Sequence, residues 1–144
     1  MDNEARHIIR ERWINSLFEL AHPEFQIRLW TQADYENSIG DFSECVCKYF
    51  DDLNLDEGYS YFISNEVITE TEYEFVNELH HKFNKYVNIS NEEDLSDIEV
   101  ISDPRWTEIT NMALVCWRNI KTKTASASEK ERMIEREKLY LNKA

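Results

Sequence analysis

Glycine and proline occur twice each in 144 residues, and this scarcity constrains the fold more than any motif does. Together they make up about 3% of the chain, against roughly 12% in an average protein. A β-sandwich or barrel needs a turn signal every 8–12 residues or so, and two glycines cannot supply them. The same shortage disfavours glycine-built P-loop and Rossmann phosphate sites and collagen-like or linker architectures. What remains is helix. The length suits one domain, which buries about 68–70% of its unfolded surface and needs no disulfide or metal to hold a core.

The apolar pattern agrees. Ile9, Trp13, Leu17 and Leu20 share a helical stripe with Ile14, Phe18 and Ala21 beside them, predicting a helix over 4–21. His22-Pro23 stops it, because the residue before proline is pushed out of the α region. Pro23 can then open a short second helix carrying Phe25, Leu29 and Trp30, and 31–38 reads as a polar loop. From Ser38 to Leu53, Ile39, Phe42, Val46, Tyr49, Phe50 and Leu53 lie at offsets 0, 3, 7, 10, 11 and 14, with Asp41 and Glu44 resembling a capping box. Trp106, Ile109, Ala113, Cys116, Trp117 and Ile120 repeat those offsets behind Asp103 as cap and Pro104 in the first turn. Thr69 and Glu72 form a capping box for a helix to about Val87, and the acidic stretch 88–97 reads as a loop. Tyr59-Ser60-Tyr61-Phe62-Ile63 alternates like a strand, so a small hairpin with Val67-Ile68, or an extended link, is expected near 59–68. The expected architecture is a mainly α single-domain bundle of five or six helices: a helical domain over 1–120, then a polar linker and charged C-terminal helix over 121–144.

Charge narrows the function. Acidic residues number 29 against 16 basic, a net charge of −13. Free nucleic acid and anionic lipid both require a basic surface and are disfavoured as partners. Hydrophobic residues at 42% and aromatics at 12% argue against disorder. No apolar run is long enough for a membrane span, and the opening MDNEARHIIRERW lacks a signal peptide's apolar core, so a cytoplasmic location is expected. Three cysteines, with Cys45 and Cys47 on different helical faces, read as reduced thiols. The charge is unevenly spread: residues 32–103 carry 19 acidic and 3 basic side chains, a net of −16, whereas 104–144 carry +4.

Signals for chemistry are thin. HExxH, CxxC, GxSxG and EF-hand patterns are missing from the sequence. Glu-x-x-His occurs three times, as Glu4/His7, Glu19/His22 and Glu78/His81, and two such pairs facing a bundle core would suit a di-metal site. Glu78/His81 alone sits well inside a predicted helix, however, and the apolar stripe there runs through Leu79 and Phe83. Solvated or capping roles are the preferred reading of these pairs. His80-His81 could sense pH, or be ordinary helix-surface residues. Acidic pairs such as Asp51/Asp52, Asp56/Glu57 and Glu92/Glu93/Asp94 could hold calcium, or form a solvated face. The expectation is a non-enzyme with no cofactor and no metal, the alternatives being a metal-binding helical enzyme and a regulatory adaptor.

Three blocks carry a resemblance. His22-Pro23-Glu24-Phe25-Gln26-Ile27-Arg28-Leu29-Trp30 and Asp41-Phe42-Ser43-Glu44-Cys45-Val46 with Phe50-Asp51-Asp52 resemble a family of small acidic bacterial proteins. Members read D-P-E-Y-Q-x-R-x-W and then D-F-x-E-x-V-x-F-x-F-D-D. Ser102-Asp103-Pro104-Arg105-Trp106-Thr107-Glu108 resembles the same family's D-P-R-W-x-E helix start. The blocks span about a third of the chain, with His22 in place of the first Asp and a basic tail after residue 120 as departures. Proteins of this type look like the immunity partners of polymorphic bacterial toxins, including those of contact-dependent growth inhibition. The resemblance implies an antitoxin that binds a toxin domain, and it carries over no catalytic residue.

A basic nuclease domain would suit so acidic a partner, which can mimic phosphate and speed encounter. The expected contact surface is the acidic central block. Asp51, Asp52, Asp56, Glu57, Glu70 and Glu74 would supply the field, and Tyr59, Tyr61 and Tyr73 would serve as aromatic anchors.

Overall fold

Asp2 accepts a hydrogen bond from the Ala5 amide at 2.7 Å and starts the first helix, α1 (Asn3–Ala21). Residues 1–32, 35 and 40–141 are described by a computed structural model. From Trp13 onward nearly every side chain of α1 is buried, Ser16 and Glu19 included, so this helix runs through the core rather than over it. His22 is extended (φ −126°, ψ 98°) and Pro23 opens α2 (Pro23–Ile27), which passes into a π-helical turn, Arg28–Gln32.

Asp41 caps α3 (Phe42–Cys47) by accepting from the Glu44 amide at 2.7 Å, and a π turn, Lys48–Asp52, extends it. The predicted start of this helix at Ser38 and Ile39 falls outside the described residues. A 3-10 turn, Leu55–Glu57, leads into α4 (Ser60–Ser64). Thr69 and Glu72 form the expected capping box of α5 (Glu70–Glu93). Then come α6 (Asp97–Ser102), α7 (Pro104–Asn119), a π turn at Ile120–Thr124, and α8 (Ala127–Leu141). The chain is mainly helical, with no strand among the described residues.

Eight α-helices stand among the described residues where five or six were expected, and the added ones have local causes. The stretch read as a hairpin is α4, because Tyr59, Phe62 and Ile63 recur at helical spacing: Tyr59 and Phe62 are buried and Tyr61 points outward. Asn65 closes it with a side-chain bond to the Tyr61 carbonyl, and Glu66 turns the chain at φ 57° so that the Val67 amide reaches back to Phe62. The stretch read as an acidic loop is helical to Glu93, where Asp94 ends α5 in the left-handed region at φ 52°. Ser90 is buried there and bonds the Val87 carbonyl. A second capping box, Ser96 with Glu99, starts the unforeseen α6.

The three blocks quoted for the family resemblance meet around one indole. Gln26, fully buried, donates to the Glu19 and Leu20 carbonyls at the end of α1 and accepts from Trp106 Nε1 at 2.9 Å. Trp30 and Phe42 pack on the same Trp106, and Trp30 Nε1 donates to Glu19. Asp103 caps α7 through the Arg105 amide and accepts from Tyr86 at 2.8 Å. Its carboxyl is held down at about 2, first by the Arg105 side chain. These residues terminate helices and fill the core, each buried large side chain contributing about 1.5–3 kcal/mol.

The C-terminal helix shares this core. Met133 is buried, Tyr140 packs against Phe18, Phe25 and Tyr35, and Arg10 of α1 bridges Glu72 of α5 and Glu129 of α8 at 2.7 and 2.8 Å. The first half of the 121–128 segment continues α7 as its π turn.

Candidate functional site

The acidic block is folded around one tight turn. Asn54 adopts the left-handed conformation at φ 59°, and Gly58 sits at φ 93°, ψ −165°, a region essentially closed to other residues. This backbone presents Asp56 and Glu57 to solvent and sends Tyr59 inward. Tyr59 is 3% exposed. Its hydroxyl accepts from Trp13 Nε1 at 2.9 Å and lies 2.8 Å from Tyr49 Oη, which lies 2.9 Å from His80 Nδ1. Burial raises both tyrosine hydroxyls above their ordinary range. His80 is lowered, first by burial and then by the neighbouring His81.

Over this chain of bonds lies a groove of about 230 Å³, whose walls include Asp56, Glu57, Tyr73, Asn77, His80 and His81. Tyr73 is half-buried, its ring 6.0 Å from that of Tyr59 and its hydroxyl bonded to Asn77 at 3.0 Å. Glu70 and Glu74, at spacing i and i+4, lie on the stripe of α5 that continues through Asn77 and His81, and both are exposed. The fold thus gathers Asp56, Glu57, Glu70, Tyr73 and Glu74. Asp52 lines a different cleft with Arg12 and Arg136. Asp51 is exposed on the π turn, and Tyr61, 55% exposed, stands on α4 away from the groove walls.

Tyr59 lines this groove but leaves only 3% of its surface exposed, its hydroxyl committed to the bonds beneath. Trp13, Tyr49 and His80, none of them singled out with it, hold it there. The signal was present in the periodicity: Tyr49 belongs to the apolar stripe of α3, and His80 stands at i+4 from Val76, a buried position of α5.

The carboxylates of the groove are uncompensated. Asp56, Glu57, Glu70 and Glu74 make no ion pair among the described residues. Of the lysines in residues 32–103, Lys48 turns to Glu19 of α1 and Lys82 to Glu108 of α7, so both spend their charge outside the block.

The Glu-x-x-His pairs do not assemble. Glu19 is buried and accepts from Trp30, whereas His22, beyond the end of α1, donates its Nδ1 proton to the Phe18 carbonyl at 2.8 Å. Glu78 and His81 are both exposed on α5. Among the described residues no three His, Cys, Asp or Glu side chains come together as a metal site would require. Cys45 and Cys116 are buried free thiols, and Cys116 donates to the Phe75 carbonyl. No described helix is long and apolar enough to cross a membrane.

The chain matches no family model, no curated protein and no solved structure.

Proposed function

We propose that this chain is an immunity-type antitoxin: a cytoplasmic inhibitor that binds a bacterial toxin domain with a basic active cleft, a nuclease above all, and blocks it by occupancy. The observation that carries the reading is the set of exposed, unpaired carboxylates, Asp56, Glu57, Glu70 and Glu74, on the face of α5 and the turn before α4. Concentrated like charge costs stability through self-repulsion, and a basic partner offsets that cost when it docks. Tyr73 at the groove wall and the exposed Tyr61 supply aromatic surface of the kind enriched at interfaces. Inhibition of this type needs neither cofactor nor catalytic group, and the contact-dependent growth-inhibition systems suggested by the three sequence blocks use such partners.

Co-expression tests it. Production of the toxin domain encoded directly upstream should stop growth, and this chain should restore it and co-purify with that domain. A non-toxic neighbour, or toxicity that persists at full expression of the folded chain, would overturn the proposal.

A further inference from the structure

A second cleft, of about 390 Å³, lies among α1, α2, the π turn after α3, and α8, well within the size range of small-ligand sites. Its walls carry three cations in a chain of net charge −13: Arg12, Lys48 and Arg136. Lys48 is engaged by Glu19 at 3.4 Å. Neither arginine makes an ion pair among the described residues. Arg12 is exposed, and its side chain makes no ion pair or hydrogen bond among the described residues.

Arg136 is the more telling. Its guanidinium lies 5.1 Å from the centre of the Phe18 ring and 5.0 Å from that of Tyr140, and its Nε is fully buried with no hydrogen-bond partner. Burial lowers its pKa against the pull of Tyr140, Glu19 and Glu11. Arg136 as a whole is half-buried, and a buried donor such as its Nε is costly unless something pairs with it. Two aromatic rings hold it in place, so it is oriented before any ligand arrives. Beside the charges the cleft is apolar, with Phe25, Leu29, Leu53 and Tyr140 in its walls. Two carboxylates line the same cleft, buried Glu19 and exposed Asp52, and they disfavour a second negative group on the ligand.

We infer that this cleft binds a small organic monocarboxylate, its carboxylate on Arg12 and Arg136 and its apolar body against Phe25, Leu29 and Tyr140. The site is independent of the antitoxin reading, since it uses none of the groove residues.

The probe is 3-phenylpropionate, titrated into the full-length chain and followed by heteronuclear NMR. Its uncharged analogue 3-phenylpropanol and inorganic phosphate serve as comparisons. A ligand of about eleven non-hydrogen atoms binds in the millimolar range. Saturable shifts should appear in α1 and α8, with the alcohol and phosphate each weaker by about tenfold or more. Arg12→Gln, at an exposed position, and Arg136→Met, which keeps a side chain between the two rings, should each weaken the carboxylate several-fold. The inference is overturned by any of three results: no saturation by about 20 mM, equal binding of the alcohol or phosphate, or unchanged affinity in folded Arg12→Gln.

Discussion

The hydroxyl of Tyr49 lies 2.9 Å from Nδ1 of His80, at the end of a chain of hydrogen bonds that starts two links away. An indole N–H can only donate. Trp13 Nε1 therefore donates to Tyr59, and where His80 Nδ1 accepts, Tyr49 donates to it and Tyr59 donates to Tyr49. The chain of bonds closes with every proton used if His80 Nδ1 is bare. A proton there would reverse the last two links and leave the Tyr59 hydroxyl proton without an acceptor.

Stability should accordingly fall on mild acidification. His80 and His22 both sit below their ordinary value of 6.5, chiefly through burial. The unfolded chain thus takes up protons first as pH drops through that value, and folding loses free energy in the window just beneath it. Urea denaturation at about pH 7.5 and about pH 5.5 should give a smaller unfolding free energy at the lower pH. Equal or greater stability at the lower pH would contradict the assignment.

Removing Arg10 should be severe. Glu72 is 1% exposed, and although burial works against its charge, Arg10 and the Thr69 amide outweigh that and hold its pKa down. Arg10→Leu strands that carboxylate and releases Glu129 of α8, costing about 3–5 kcal/mol. Chemical denaturation measures it, and a loss below about 1 kcal/mol would show that the bridge does not bind α8 to the core.

Gly58→Ala should destabilise by about 1–3 kcal/mol although a Cβ would meet nothing within 4 Å. The cost comes from the backbone at φ 93° and not from a clash. If thermal unfolding of the variant matches that of the parent, the turn before Tyr59 is not strained as described.

Gln26→Leu keeps the shape of the side chain while removing the partner of Trp106 Nε1 and a donor to two α1 carbonyls. A loss of about 2–4 kcal/mol is expected from buried groups left unsatisfied, read by urea denaturation. A change within about 0.5 kcal/mol would mean that water replaces the amide.

The helices that bury a full stripe, such as α7 with Trp106, Ile109, Ala113 and Trp117, were legible in the spacing of their apolar residues. So was the Thr69–Glu72 box, whose chemistry is local. What escaped were short helices with weak local signals: α4, where alternation masked the i, i+3, i+4 recurrence of Tyr59, Phe62 and Ile63, and α6, whose Ser96–Glu99 box lies in a stretch read as a loop. The acidic block was legible as charge, but its sorting was not. Tyr59 and Tyr61 differ by two positions and look alike in sequence. The turn at Gly58 sends one toward Trp13 and leaves the other outside. Arg136 was similarly opaque, because its meaning depends on Phe18 and Tyr140, brought to it from two other parts of the chain.

The most direct test of the antitoxin reading is the association rate with the upstream-encoded toxin domain, measured at several salt concentrations for the parent and for Asp56→Lys/Glu57→Lys/Glu70→Lys. If the groove supplies the steering field, the folded triple variant should associate about tenfold or more slowly at low salt, and its rate should depend far less on salt. Identical rates and salt slopes for parent and variant would contradict the claim that this acidic face is where the partner docks.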